Sequence, residues 1–166
     1  SKLWRLRQIE YTWLRNSMKI YKDFWLVTED ALDYAMEMCD INDENLKFKL
    51  LDLYFKLEPY TEVKGILEKL KKMNYKTAIL SNGSPNMLMG AVENAEISEY
   101  IDKIISVDIC KRYKPSHKVY DLIEKEFKIK RDYVAFYSSN AWDMHAASNY
   151  GFKTIWVNRF DGKLER

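Results

Sequence analysis

The sequence predicts an α/β fold: an all-helical segment, residues 1–57, precedes a core of parallel strands over residues 58–166. Three observations predict it. Apolar residues in the first 57 positions recur only at three- and four-residue steps. From Pro59 onward, short apolar runs alternate with helical stretches. The first three of those runs stop at polar loops.

Leu3, Leu6, Ile9, Trp13 and Leu14, interleaved with Arg5, Arg7, Glu10 and Arg15, give the first helix an apolar stripe. Thr28 is read as the N-cap of a second helix through Ala31, Leu32, Ala35 and Met36, because its hydroxyl can accept from an orphan N–H. A third helix follows Asn42 and carries Leu46, Leu50, Leu53 and Tyr54. Three helices without a strand make a small bundle. Beyond Pro59, Thr61 is the expected N-cap of a helix with Val63, Ile66, Leu67 and Leu70, ending near Asn74. Residues 76–80 form the first strand, stopped by Ser81-Asn82-Gly83-Ser84-Pro85, and a helix covers 85–94. Residues 104–107 are the second strand, and Ser116 caps a helix through Val119, Leu122, Ile123 and Phe127. The third strand spans 133–137. The helix that follows, 141–150, stops at Gly151, which tolerates positive φ. Residues 154–157 are the fourth strand. Strands alternating with helices at this spacing make βαβ units and a parallel sheet.

Composition narrows the function classes. A chain of 166 residues with 47% apolar and 31% charged residues, five glycines and three prolines can bury a core, which excludes disorder and collagen-like or disulfide-dense scaffolds. The net charge of +2 is spread without like-charged blocks, so no nucleic-acid footprint is visible. Cys39 and Cys110 are too few for a metal knuckle and read as structural thiols of a reducing cytoplasm. No apolar run approaches the ~18 residues of a membrane span. The expected location is cytoplasmic, with neither nucleic acid nor membrane as partner.

Ligands of open parallel sheets bind beyond the carboxyl ends of the strands, so the polar loops there carry the candidate residues. Ser81-Asn82-Gly83-Ser84-Pro85 offers backbone N–H groups, two hydroxyls and a helix N-terminus to an anion, although an ordinary turn with a Ser cap explains the same residues. In Lys111-Arg112-Tyr113-Lys114-Pro115 the proline holds Lys114 out of helical geometry; the ammonium either pairs with a carboxylate or is solvated. In Ser138-Ser139-Asn140-Ala141-Trp142-Asp143, Asp143 suits the helix dipole as a capping charge and equally suits catalysis. Neither His117 nor His145 has a nucleophile at informative spacing, and both read as surface or packing histidines.

With these loops the chain resembles the type II, or (S)-2-haloacid, dehalogenases of the haloacid dehalogenase superfamily. The resemblance runs through Leu3-Trp4-Arg5, residues 10–15, Ser81-Asn82-Gly83-Ser84-Pro85, Tyr113-Lys114-Pro115, Val119-Tyr120, Ser138-Ser139-Asn140-Ala141-Trp142-Asp143 and Trp156-Val157-Asn158-Arg159. It implies a Rossmann-like parallel sheet with a helical cap. The implied reaction is displacement of halide from C2 of a short (S)-2-haloacid by an Asp carboxylate; water then hydrolyses the ester to the (R)-2-hydroxy acid. Such chemistry needs a desolvated nucleophile, a grip on the substrate carboxylate and stabilisation of the leaving halide. By resemblance, Ser81 binds the substrate carboxylate, and Arg5 with Asn82 receives the halide beside Phe24 and Trp142. Lys114 offsets the nucleophile's charge; Ser138, Asn140 and Asp143 arrange Lys114 and the hydrolytic water, and Tyr120 supports the site. No cofactor or metal is implied. Superfamily phosphatases place further carboxylates around Mg²⁺, where Ser139 and Asn140 stand here. A Mg²⁺-dependent phosphatase and a non-catalytic association module are the alternatives, and a second copy of the chain is a candidate partner.

The chain also departs from the pattern. It contains no Asp-x-x-Gly-Thr, the setting of the nucleophile at the end of the family's first strand. That strand is expected centrally, between those ending at Ser81 and Ser138, so its absence predicts two half-sheets with unpaired edges. It also predicts that residues 1–166 alone are inactive and poorly folded. Leu6 stands where the family often has a polar residue, and Met144-His145-Ala146 where glycine usually precedes Ala147. Both bear on substrate range more than on fold.

Overall fold

The computed structural model describes residues 2–164. Seven α-helices of these residues are α1 (Lys2–Met18), α2 (Phe24–Glu37), α3 (Glu44–Asp52), α4 (Val63–Lys72), α5 (Pro85–Asn94), α6 (His117–Phe127) and α7 (Ala141–Tyr150). The strands are β1 (Ala78–Ser81), β2 (Lys103–Ser106), β3 (Ala135–Ser138) and β4 (Lys153–Trp156). The described chain divides into two compact units, one running to Ile109 and the other starting at Cys110. The change of pattern at Pro59 falls inside the first.

In the first unit α1, α2 and α3 pack around Trp4, Ala31, Leu32, Ala35, Met36 and Leu51. The Trp4 indole N–H donates to the Thr28 carbonyl at 3.0 Å, and its ring meets Tyr54 edge-on at 5.5 Å. Two helix starts differ from expectation. α2 begins five residues earlier than a Thr28 cap would place it, because the Asp23 carboxylate accepts from the Trp25 N–H at 2.8 Å. Thr28 instead lies buried in the second turn and returns its hydroxyl proton to the Phe24 carbonyl, the i−4 bond open to a helical threonine. α4 starts at Val63 after Glu62, with no side-chain cap, so Thr61 is not its cap either. α3 follows Asn42 as expected, with Asp43 as its cap, whose carboxylate accepts from the Leu46 N–H at 2.9 Å.

Each unit holds one two-stranded parallel sheet. β1 pairs with β2 from Ala78↔Lys103 to Ser81↔Ser106, and β3 pairs with β4 from Ala135↔Lys153 to Ser138↔Trp156. Among the described residues each strand therefore has a ladder on one edge only. This is the pair of half-sheets that the missing central strand predicts. Parallel strands are ordinarily covered on both faces; here Tyr137 is 65% exposed, and Ile104 and Ile155 are 37% and 38% exposed.

In each unit a helix joins the two strands. α5 keeps its expected bounds because Ser84-Pro85 places proline at the first helical position. Gly90 of that helix admits Phe55: a Cβ there would lie 2.9 Å from Phe55 Cδ1. α7 ends on Gly151 at φ +114°, where a Cβ would also lie 2.7 Å from Arg131 Cδ. Gly151→Ala is accordingly expected to destabilise the second unit by about 1–2 kcal/mol, read in the chain extended by an Asp-bearing strand as a lower urea midpoint at unchanged slope. Among the described residues no helix is long and apolar enough to cross a membrane.

Candidate active site

The carboxyl ends of the strands gather the polar residues, unit by unit. In the second unit Ser138 closes β3, Asn140 is the N-cap of α7, and Asp143 falls in the first turn of that helix. The chain reaches the same place just ahead of α6, through Tyr113-Lys114-Pro115, with a cis bond before the proline and Tyr113 fully buried. Lys114 and Asp143, 7% and 4% exposed, pair at 2.8 Å between Nζ and Oδ2. The Ser138 hydroxyl donates to the same oxygen at 3.1 Å, and the Tyr120 phenol donates to Oδ1 at 2.8 Å. The Asn140 N–H in turn donates to Ser138 Oγ at 3.2 Å.

One buried carboxylate thus accepts from an ammonium and two hydroxyls, which meets the requirement that a buried charge be both paired and hydrogen-bonded. Burial pulls the Lys114 ammonium below its ordinary pKa, and Asp143 pulls it back up. The ammonium also lies over the Phe136 ring, 4.9 Å from its centroid, a cation–π contact that favours the charged form. Tyr120 is packed edge-on against Phe136 and Phe152, and burial followed by the Asp143 charge raises its pKa, so its hydroxyl remains a donor at neutral pH. Trp142 is half-buried on α7, and the Trp156 indole donates to the Ser139 carbonyl at 3.2 Å. His117 bonds Asn149 at the surface, 3.0 Å away, and His145 is exposed on α7.

The first unit holds the remaining candidates in two places. At the end of β1 the Gly83 N–H donates to Ser81 Oγ at 3.1 Å. The Ser106 hydroxyl, at the end of β2, donates to the Gly83 carbonyl at 2.6 Å and fixes the 81–84 loop from its neighbour strand. Ser84 Oγ is buried without a hydrogen-bond partner among the described residues, an uncommon state for a hydroxyl. Asn82 is half-buried in the same loop. On the helical segment Arg5 is exposed on α1 and Phe24 is buried at the start of α2. They are linked through groups that pattern reading passed over. Arg5 Nη1 donates to Gln8 Oε1 at 2.7 Å, Gln8 Nε2 donates to Thr28 Oγ1 at 2.7 Å, and Thr28 donates to the Phe24 carbonyl at 2.8 Å. The available signal was a polar residue at helical spacing between Trp4 and Thr12, all three of them buried.

The donor set bears on metal chemistry. Mg²⁺ takes hard oxygen ligands with free lone pairs. The single carboxylate of the 138–143 loop already accepts three hydrogen bonds and is neutralised by Lys114, so this set does not fit the ion. Among the described residues no three His, Cys, Asp or Glu side chains are placed to hold a metal.

The family model for haloacid dehalogenase-like hydrolases matches residues 26–157. (S)-2-haloacid dehalogenase 1 of Pseudomonas sp. strain CBS-3 is 43% identical over 166 residues, 99% of this chain and 73% of that protein. A crystal structure of a dehalogenase superposes with a TM-score of 0.96 at 38% identity, covering 99% of this chain and 73% of that one. The L-2-haloacid dehalogenase of Xanthobacter autotrophicus, solved with chloropropionic acid covalently bound, superposes with a TM-score of 0.88 at 39% identity, covering 95% and 64%.

Proposed function

Because this chain belongs to the (S)-2-haloacid dehalogenases of the haloacid dehalogenase-like hydrolases, we propose that it supplies the substrate-binding and charge-handling parts of an enzyme that turns short (S)-2-haloacids into (R)-2-hydroxy acids. The observation that carries this reading is the buried Lys114–Asp143 pair with its Ser138 and Tyr120 donors. In the displacement an Asp oxygen forms a bond to C2 as the carbon–halogen bond breaks with inversion, and the electron pair leaves with the halide. Water then cleaves the ester and returns the carboxylate. That Asp is not in an Asp-x-x-Gly-Thr setting anywhere in residues 1–166, so the reading assigns it to a strand outside them.

Each remaining requirement has a group in the chain. Lys114 offers positive charge next to an anionic nucleophile, and Asp143 holds it in one position through their ion pair. Ser138 and Asn140, joined by their own hydrogen bond, orient the hydrolytic water together with Asp143. The Ser81 hydroxyl accepts from Gly83, which leaves its proton for a substrate carboxylate, with the N-terminus of α5 behind it. Arg5, Asn82, Phe24 and Trp142 receive the halide, charge from the first two and apolar walls from the others. The cap is residues 1–57 and the core residues 58–166. Leu6, Leu14, Met18 and Ile20 are exposed apolar residues in or beside α1, and the reading includes self-association through them. Neither Cys39 nor Cys110 is in a disulfide, which suits a reducing cytoplasm.

The test is stereochemical. The polypeptide extended at its N-terminus by an Asp-bearing strand is expected to release chloride from (S)-2-chloropropionate, not the (R) isomer, and to yield (R)-lactate without added metal. Equal release from both isomers, or Mg²⁺-dependent release of phosphate from p-nitrophenyl phosphate instead, would sink the reading.

A further inference from the structure

Gln8 is a fully buried amide on a helix whose neighbouring candidate, Arg5, is exposed. Its orientation is not arbitrary. Thr28 lies in the second turn of α2, and its hydroxyl proton goes to the Phe24 carbonyl at 2.8 Å. Thr28 Oγ1 can therefore meet Gln8 only as an acceptor, so the end of the amide facing it, 2.7 Å away, must be the NH₂ group. The second proton of that NH₂ goes to the Tyr54 hydroxyl at 2.9 Å. Both donors are spent inside the bundle, and the carbonyl Oε1 is left facing Arg5 Nη1 at 2.7 Å. A buried, fully satisfied amide thus grips one arm of an exposed guanidinium, and the same chain of bonds ends on the backbone of Phe24.

We propose that Gln8, oriented by Thr28 and Tyr54, is a positioning residue that fixes the Arg5 guanidinium for stabilising the departing halide. The proposal rests on the reading of Arg5 as a halide-binding group and adds the device that holds it. An unrestrained Arg spreads over many rotamers, and each must be frozen out before the guanidinium can meet a leaving anion. An acceptor bonded at Nη1 removes much of that freedom beforehand, and it leaves the other guanidinium N–H groups for the halide. Leu6, on the next position of α1, offers no hydrogen bond that could replace it.

Chloride is a poorer leaving group than bromide, so its departure depends more on a positioned cation. The readout is the ratio of kcat/KM for (S)-2-bromopropionate to that for (S)-2-chloropropionate, measured on the full chain extended by the Asp-bearing strand; kcat/KM reports halide displacement whatever the rate of ester hydrolysis. Gln8→Met, nearly isosteric, is expected to lower kcat/KM for the chloro acid about tenfold, as for loss of a hydrogen bond to a charged group, and to raise the ratio. Gln8→Glu keeps an acceptor for Arg5 but has no N–H for Thr28 or Tyr54, so it should raise the ratio by less than Gln8→Met. Thr28→Val lets the amide turn and should raise the ratio by less than Gln8→Met. If Gln8→Met does not fold, Thr28→Val measured against the parent decides. Arg5→Lys separates the two ideas. A ratio changed by Arg5→Lys and unmoved by the Gln8 and Thr28 variants overturns the positioning role alone. A ratio unmoved by Arg5→Lys removes the halide role of Arg5, and the proposal with it.

Discussion

In the chain extended by the Asp-bearing strand, Asp143→Asn is expected to cost about 3–5 kcal/mol of stability at neutral pH, because it leaves the Lys114 ammonium buried without a counter-charge. Against a native stability of about 5–15 kcal/mol, that is enough to populate unfolded chain. The Asn side chain keeps the shape and can still accept from Ser138 or Tyr120, so the loss isolates charge from packing. Lys114→Met added to Asp143→Asn should recover much of the stability and none of the activity, since the buried pair is then gone on both sides.

The pH dependence has a definite sign. Burial already holds the Lys114 pKa below its ordinary 10.5, and Asp143 is the group opposing that shift. Without the carboxylate the folded-state value falls further, while the unfolded value stays ordinary. A lysine lowered in the folded state makes the unfolded chain the better proton binder, so stability is highest above 10.5 and declines as pH falls through the folded value. The deficit of Asp143→Asn relative to the parent should therefore shrink between pH 7 and pH 10.5. Urea denaturation at both pH values measures it; a deficit that is constant, or below about 1 kcal/mol throughout, means that Lys114 and Asp143 are not a desolvated pair.

Where the sequence was legible, the signals were local. Pro85 after Ser84 and Gly151 after Tyr150 are single-residue marks of helix start and stop, and α5 and α7 keep the expected bounds. The strands shift by one or two residues, because a four-residue apolar run does not say which end carries the ladder. Thr28 misled for a physical reason. A threonine before an apolar-periodic stretch serves equally as a cap or as an i−4 hydrogen-bonding residue within the helix, and only the fold, with Gln8 facing it, decides. Lys114, Ser138, Tyr120 and Asp143 were assigned through family resemblance, and their mutual bonds could not be read from spacing, since residues 114 and 143 meet only after α6, β3 and the start of α7 have folded. Gln8 escaped because a polar residue at a core position looks like an interruption of the stripe until its three partners are seen.

Residues 1–166 by themselves are expected to release no measurable halide from (S)-2-chloropropionate, and extension by a strand carrying the Asp should restore both activity and cooperative folding. The chemical part follows from the proposed function, since residues 1–166 hold no Asp-x-x-Gly-Thr setting for the attacking carboxylate. The folding part follows from the sheet. β1 and β3 each hold a ladder on one side only, and Tyr137, Ile104 and Ile155 leave apolar surface on strands of a kind normally covered. Unpaired strand edges of this sort recruit other strands, including those of a second molecule. Size-exclusion of the unextended chain should therefore show associated species, with a broad, low-midpoint urea transition; the extended chain should sharpen that transition and remove the edge-driven association. A monomeric, cooperatively melting 1–166 would contradict the structural half of this expectation, and halide release from it the chemical half. The two halves rest on different atoms, the backbone of β1 and β3 in one case and a single carboxylate in the other. An extension with Asn in place of the Asp should consequently restore folding without restoring activity.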